Sequence, residues 1–158
     1  LQIMAHIGLS RWKVPFVARQ LGRIAARDAH RIPLFPGVAA LLGRLAASGT
    51  TVAIVSSNSE PLVRRVLGPA AAHVHHYDCG ASMFGKRRHI RRILARTGIA
   101  HGAAIYIGDE LRDKEAARAE RIDFGAVAWG YTSAASLAAA APSALFDDVD
   151  ALAGRLLD

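Results

Sequence analysis

The chain has 158 residues, 52% of them hydrophobic and 6% aromatic, which suits one domain with a core of Ala, Val, Leu and Ile. Its formal charge of +7 arises from 17 Arg and three Lys against 13 acidic residues. No apolar run approaches a membrane span, the opening residues show no basic-then-apolar pattern, and the single cysteine, Cys79, excludes an internal disulfide framework, so a cytoplasmic setting is expected.

Residues 1–30 read as helices. Ile3, Met4 and Ile7 stand at helical spacing before Gly8, and Val14, Val17, Ala18, Leu21, Ile24 and Ala25 share one face of a second stretch. Pro33 and Pro36-Gly37 mark a junction. A helix is expected over 38–47, with Val38, Leu41, Leu42 and Leu45 inward and Gly49 closing it. A short buried strand follows at 51–55, then a helix at 60–67 stopped by Gly68-Pro69, then a weak strand at 73–77. The pattern continues with a helix at 87–97 closed by Gly98, a strand at 103–107, a helix at 112–121 and a strand at 124–129. Two further helices are expected at 133–140 and 149–157.

Strands alternating with helices of this length predict an α/β fold: a parallel sheet covered by helices on both faces, three layers in all. Such sheets bind ligands outside the carboxyl ends of their strands. That directs attention to residues 56–59 and 108–113.

Three places carry chemistry, two of them at these strand ends. In "AIVSSNSEP", Ser56, Ser57, Asn58 and Ser59 lie between a strand and a helix. Hydroxyls and backbone N–H groups at a helix start suit a phosphate, and the same residues suit an ordinary helix cap. In "GDELRD", Asp109 and Asp113 can face one point, as oxygen ligands for Mg²⁺, or they can serve the helix as cap and dipole partner. In "SMFGKRRHI", Lys86 opens a helix, where a cation opposes the dipole unless a phosphate or carboxylate stands near. The plainer alternative is a solvated lysine in a basic run.

The order strand-Ser, Gly-Lys opening a helix, strand-Gly-Asp-x-x-x-Asp resembles the haloacid dehalogenase superfamily, from about Leu34 to Trp129. "LFPGVAALLGRLAASGTTVAIVSSNSE" looks like the approach to that family's second motif, and "GAVAWGY" resembles a strand of its phosphoglycolate-phosphatase-like branch. The resemblance implies a Rossmann-like core over 33–158, with residues 1–32 the last part of a helical cap. It implies phosphate binding by Ser56, Ser57, Asn58 and Lys86. It also implies a Mg²⁺ site served by Asp109 and Asp113, with Lys86 and Asp113 acting in catalysis. The activity implied is a Mg²⁺-dependent phosphatase for small phosphorylated metabolites, working through an aspartyl-phosphate. Glu110 stands where related sequences often carry a small residue.

The family's first motif, a strand ending in Asp-x-Asp that supplies the nucleophile, has no counterpart here. Asp28 lies in the polar "AARDAHR", and the carboxylates of "FDDVD" at 146–150 follow Phe146 rather than a strand. We therefore expect the nucleophile in a segment preceding this sequence, and the sequence as written to be inactive alone. The alternative readings are a non-catalytic relative that binds an anion or a partner, and a basic nucleic-acid-binding module. No aromatic stacking set supports the last of these. "HVHHYDC", with His73, His75, His76 and Cys79, lacks a second cluster at ligand spacing that would complete a transition-metal site.

Overall fold

The computed structural model describes residues 33–80 and 85–157. The helices expected within residues 1–30 lie outside them. The described chain runs α1 (Val38–Ala47), β1 (Ala53–Ser56), α2 (Glu60–Leu67), β2 (His76–Cys79), α3 (Lys86–Thr97), β3 (Ile105–Gly108), α4 (Leu111–Ala119), β4 (Asp123–Val127), α5 (Ala134–Ala139), β5 (Ala144–Phe146) and α6 (Val149–Leu157). Short 3₁₀ turns occupy Gly68–His73 and His101–Ala103.

The helices begin and end where backbone chemistry requires. Gly37 enters α1 at φ 84°, and Gly98 leaves α3 at φ 67°, both in the left-handed region that suits glycine. Pro61 sits in the first turn of α2, where its missing N–H costs no helical bond.

All strand pairs are parallel. β1 pairs with β2, with Ala53 opposite His76 and Ser56 opposite Cys79. β4 lies between β3 and β5, with Gly108 opposite Ala126 and Val127 opposite Phe146. These make two ladders, β1-β2 and β3-β4-β5. Among the described residues β1 and β3 do not pair with each other, so each keeps one edge without a described partner. Their burial agrees: β1 and β3 contain no fully buried residue, whereas four of the five residues of β4 are buried.

Helical layers span both sides of this gap. On one face Leu41, Leu45, Val127, Phe146, Leu152 and Ala153 form a core that also holds Val52 and Ile107. On the other, Ile90 and Leu94 of α3 meet Ala116 of α4, with Val55 from beside one ladder edge and Ala104 and Tyr106 from beside the other. Each buried Leu or Ile contributes roughly 1.5–3 kcal/mol. Gly125 lets the first core close across β4, since a Cβ there would come within 2.6 Å of Ile107 and 2.9 Å of Phe146.

The α/β expectation holds, with three corrections. The first three expected strands lie one to three residues late: the ladders run through Ser56, Cys79 and Gly108 rather than stopping at the last apolar residue. A strand at Ala144–Phe146 was not anticipated, and it means that Asp147 and Asp148 do follow a strand; Asp148 Oδ1 accepts the Ala151 N–H (2.7 Å) and starts α6. Finally, Asp109 does not cap α4, because that position belongs to Glu110.

Candidate active site

The site forms where β3 ends. The chain leaves the ladder at Gly108 and turns through Asp109 and Glu110 into α4. Asp113, in the first turn of α4, is 2% exposed. Its Oδ1 accepts a hydrogen bond from Nζ of Lys86, the first residue of α3. Glu110 Oε2 stands 3.7 Å from the same Nζ. Arg112 closes on Glu110 with both its Nε and its Nη2, the latter at 2.6 Å from Oε1. A lysine at a helix start opposes the dipole, and here two carboxylates of the neighbouring helix balance it.

The electrostatics follow from burial. Desolvation pushes the Asp113 carboxyl above the usual aspartate range, the Lys86 bond opposes that, and the nearby Asp109 adds to it. Burial beside Asp113 and Asp109 also drives the Tyr106 phenol far up, so Tyr106 is a neutral group at any physiological pH.

Asp109 is held differently. Its Oδ2 accepts the Tyr131 N–H at 2.7 Å, and its carbonyl oxygen accepts the Thr132 N–H at 3.2 Å. Among the described residues no hydrogen bond takes Oδ1. Ser56, Ser57 and Asn58 lie at the carboxyl end of β1. There Ser56 Oγ accepts the Asn58 N–H (3.1 Å) and the Asn58 carbonyl accepts the Gly80 N–H (2.8 Å). Ser59 begins α2 without a side-chain cap. The structure thus joins Lys86 directly to Asp113 and sets Asp109 beside them in the chain, while the Ser56–Asn58 turn bonds within its own half.

Could these residues hold Mg²⁺? Among the described residues no group of three or more His, Cys, Asp or Glu could hold a metal ion. Mg²⁺ does not need one, since it keeps several waters and is held by one or two carboxylates together with substrate oxygens. Oδ1 of Asp109, which takes no hydrogen bond from a described residue, fits that requirement. Sequence reasoning missed two features of the site. One is the Arg112–Glu110 pair. The other is the seating of Asp109 against Gly130–Thr132, for which "WGY" carries no recognisable signal.

Further along α3, the basic run is organised around two acids. Glu120, 5% exposed at the end of α4, accepts from Arg87 Nε (2.6 Å) and from Arg91 Nη2 (2.8 Å). Asp78 of β2 meets His89 (2.7 Å), Arg92 (2.9 Å) and Arg96 (3.3 Å).

Residues 2–127 match the family model for haloacid dehalogenase-like hydrolases. The chain belongs to that family. Over 147 residues this HAD-like hydrolase is 33% identical to a phosphoglycolate phosphatase of Synechococcus elongatus, covering 92% of the chain and 69% of that relative. It is also 32% identical over 103 residues to the tyrosine-protein kinase PtkA of Mycobacterium tuberculosis, covering 62% of the chain and 35% of the kinase. Among solved structures, a Lactobacillus plantarum protein assigned as a phosphoglycolate phosphatase superposes with a TM-score of 0.83 at 21% identity, over 99% of this chain and 76% of the other. A haloacid dehalogenase-like protein of Streptococcus pneumoniae gives a TM-score of 0.68 at 23% identity, over 78% of this chain and 60% of the other. These superpositions support the Rossmann-like HAD fold. Among the described residues of this hydrolase, no helix is long and apolar enough to cross a membrane.

Proposed function

We propose that the protein is a Mg²⁺-dependent phosphatase of small phosphorylated metabolites, acting in the cytoplasm through an aspartyl-phosphate. The observation that carries this reading is the buried Lys86–Asp113 pair beside Asp109 at the end of β3. Phosphoryl transfer spreads negative charge over the phosphate oxygens, so it needs a fixed cation next to a carboxylate that can hold a metal. When bound, Mg²⁺ would neutralise phosphate oxygens. Asp109 would hold it through Oδ1, and Asp113 would orient its water shell while fixing Lys86. Lys86 would donate to the transferring phosphate, and the Ser56 hydroxyl, the Ser57 N–H and the Asn58 side-chain amide would cradle it, the Asn58 N–H holding Ser56 Oγ in place.

The acceptor carboxylate is assigned to the gap between β1 and β3. A strand entering that gap would end beside Lys86, and its terminal carboxylate would attack phosphorus as the bond to the leaving oxygen breaks, that oxygen taking a proton from a second carboxyl of the same segment. Water, giving a proton back to that second carboxylate, would then cleave the acyl phosphate, releasing phosphate and regenerating the first carboxylate. Residues 33–158 form the core in this reading and residues 1–32 belong to a cap. With the gap empty, no turnover is expected.

The test is hydrolysis of phosphoglycolate and p-nitrophenyl phosphate by the complete protein. Turnover should require Mg²⁺ and stop with EDTA. Asp109→Asn should lower kcat/KM by on the order of 10²-fold or more. Turnover that persists undiminished in EDTA, or in the Asp109→Asn protein, defeats the reading.

A further inference from the structure

Gly130 stands behind Asp109. Its φ lies outside the left-handed region, so its backbone conformation is open to any residue. What excludes a side chain is space. A Cβ at position 130 would lie 2.6 Å from Asp109 Cγ, with Asp109 Cβ and Oδ2 nearer still, whereas real Cβ atoms keep at least 3.0 Å from their neighbours. The atoms in the way are the stem of a short side chain, which cannot swing aside while its carboxylate stays in place. The next two residues hold Asp109 from the same side: the Tyr131 N–H donates to Oδ2 and the Thr132 N–H to the carbonyl oxygen. One turn of chain therefore fixes the stem, one carboxylate oxygen and the backbone of a single aspartate.

We propose that Gly130 is a positioning residue for the metal ligand: the Gly130–Thr132 turn seats Asp109 with Oδ2 engaged and only Oδ1 open to a cation. The inference rests on the reading of Asp109 as a Mg²⁺ ligand. It has a consequence for selectivity. A carboxylate with one oxygen holding an N–H presents its other oxygen first, and a bidentate grip has to compete with that hydrogen bond. That suits Mg²⁺, which demands near-octahedral geometry at short distance, and it disfavours the bidentate grip that Ca²⁺ accepts readily. A side chain at 130 must push Asp109 off its seat, which breaks the Tyr131 bond and frees both oxygens. Mg²⁺ affinity falls, and preference for Mg²⁺ over Ca²⁺ falls with it.

The experiment is calorimetric titration of the complete protein with MgCl₂ and, separately, CaCl₂, with the exchange rate of the Tyr131 amide followed in parallel. Gly130→Ala should bind Mg²⁺ at least tenfold more weakly, lose less affinity for Ca²⁺, and exchange the Tyr131 amide faster. Should Gly130→Ala fail to fold, Tyr131→Pro removes the same donor while leaving Gly130 intact, and the same changes in Mg²⁺ and Ca²⁺ binding are expected of it. A merely structural role for Gly130 would shift unfolding without altering the Mg²⁺/Ca²⁺ ratio, and that result overturns the inference, as does a folded variant that binds Mg²⁺ like the wild type. A wild-type protein that binds Mg²⁺ but loses none of it in Asp109→Asn overturns the ligand assignment, and with it the role of Gly130. Wild-type protein that binds no Mg²⁺ also overturns both.

Discussion

Two glycines at the end of the sheet make room for two carboxylates. Gly130 accommodates Asp109, and Gly108 accommodates Asp113, whose Oδ2 would lie 2.6 Å from a Cβ at position 108 and whose Cβ and Cγ would both lie 2.9 Å away. Asp113 is nearly inaccessible and bonded to Lys86, so it has nowhere to retreat. Gly108→Ala is therefore expected to destabilise the fold by about 1–3 kcal/mol, as overpacking does. The measurement is the urea midpoint, and an unchanged midpoint would show that Asp113 is loosely held. The "GD" of "IGDELRD" was readable as a motif, but the steric reason for its glycine was not, because that reason lies in a side chain five residues on. The same holds for Gly130, whose partner is 21 residues back in the chain.

The elements themselves were more legible than their contacts. Residues 38–47 and 60–67 carried a 3.6-residue apolar pattern with a glycine stop, and α1 and α2 have those bounds. Strand ends slipped because a ladder depends on backbone groups and not on hydropathy, so Ser56, Cys79 and Gly108 pair as well as the valines and isoleucines before them. At Ala144–Phe146 three residues are too few to show any period. The partners of the basic run in α3 were not legible: Arg87 and Arg91 converge on Glu120 and hold the end of α4. Hydrogen bonds from Arg91, then from Arg87, bring the Glu120 carboxyl down to about 2, below its usual 4.5. A carboxyl depressed on folding contributes stability that is complete above its unfolded pKa and fades as pH falls through the folded value. Glu120→Gln should thus cost about 1–2 kcal/mol at pH 7. The difference from wild type should shrink between pH 4.5 and 2, as read from urea unfolding across that range. A pH-independent difference would mean that the arginines do not stabilise the ionised form.

At the largest scale the governing fact is the break, among the described residues, between the β1-β2 and β3-β4-β5 ladders. Both edges at the break are lined by half-buried apolar residues, Ile54 and Val55 on one side and Ile105, Tyr106 and Ile107 on the other, and helices cover both faces. Unpaired buried backbone groups cost about 1–3 kcal/mol each, so an empty slot is a standing liability. We expect the complete protein to place a strand there. Hydrogen exchange tests this directly: in β1 and β3 the amides facing the slot should be as protected as those facing β2 and β4. Rapid exchange confined to the slot side would show it to be open.

The Lys86–Asp113 pair bridges this same break, since Lys86 opens α3, which packs on β1 and β2, and Asp113 belongs to α4, which packs on β3 and β4. In mechanical terms it is a rivet through two plates. Neighbouring strands stand about 4.8 Å apart. A slip of one plate past the other by a single strand's width would carry the ammonium out of reach of its carboxylate. The pair therefore sets the register of the two halves, and with it the width of the slot that an intervening strand would have to fit.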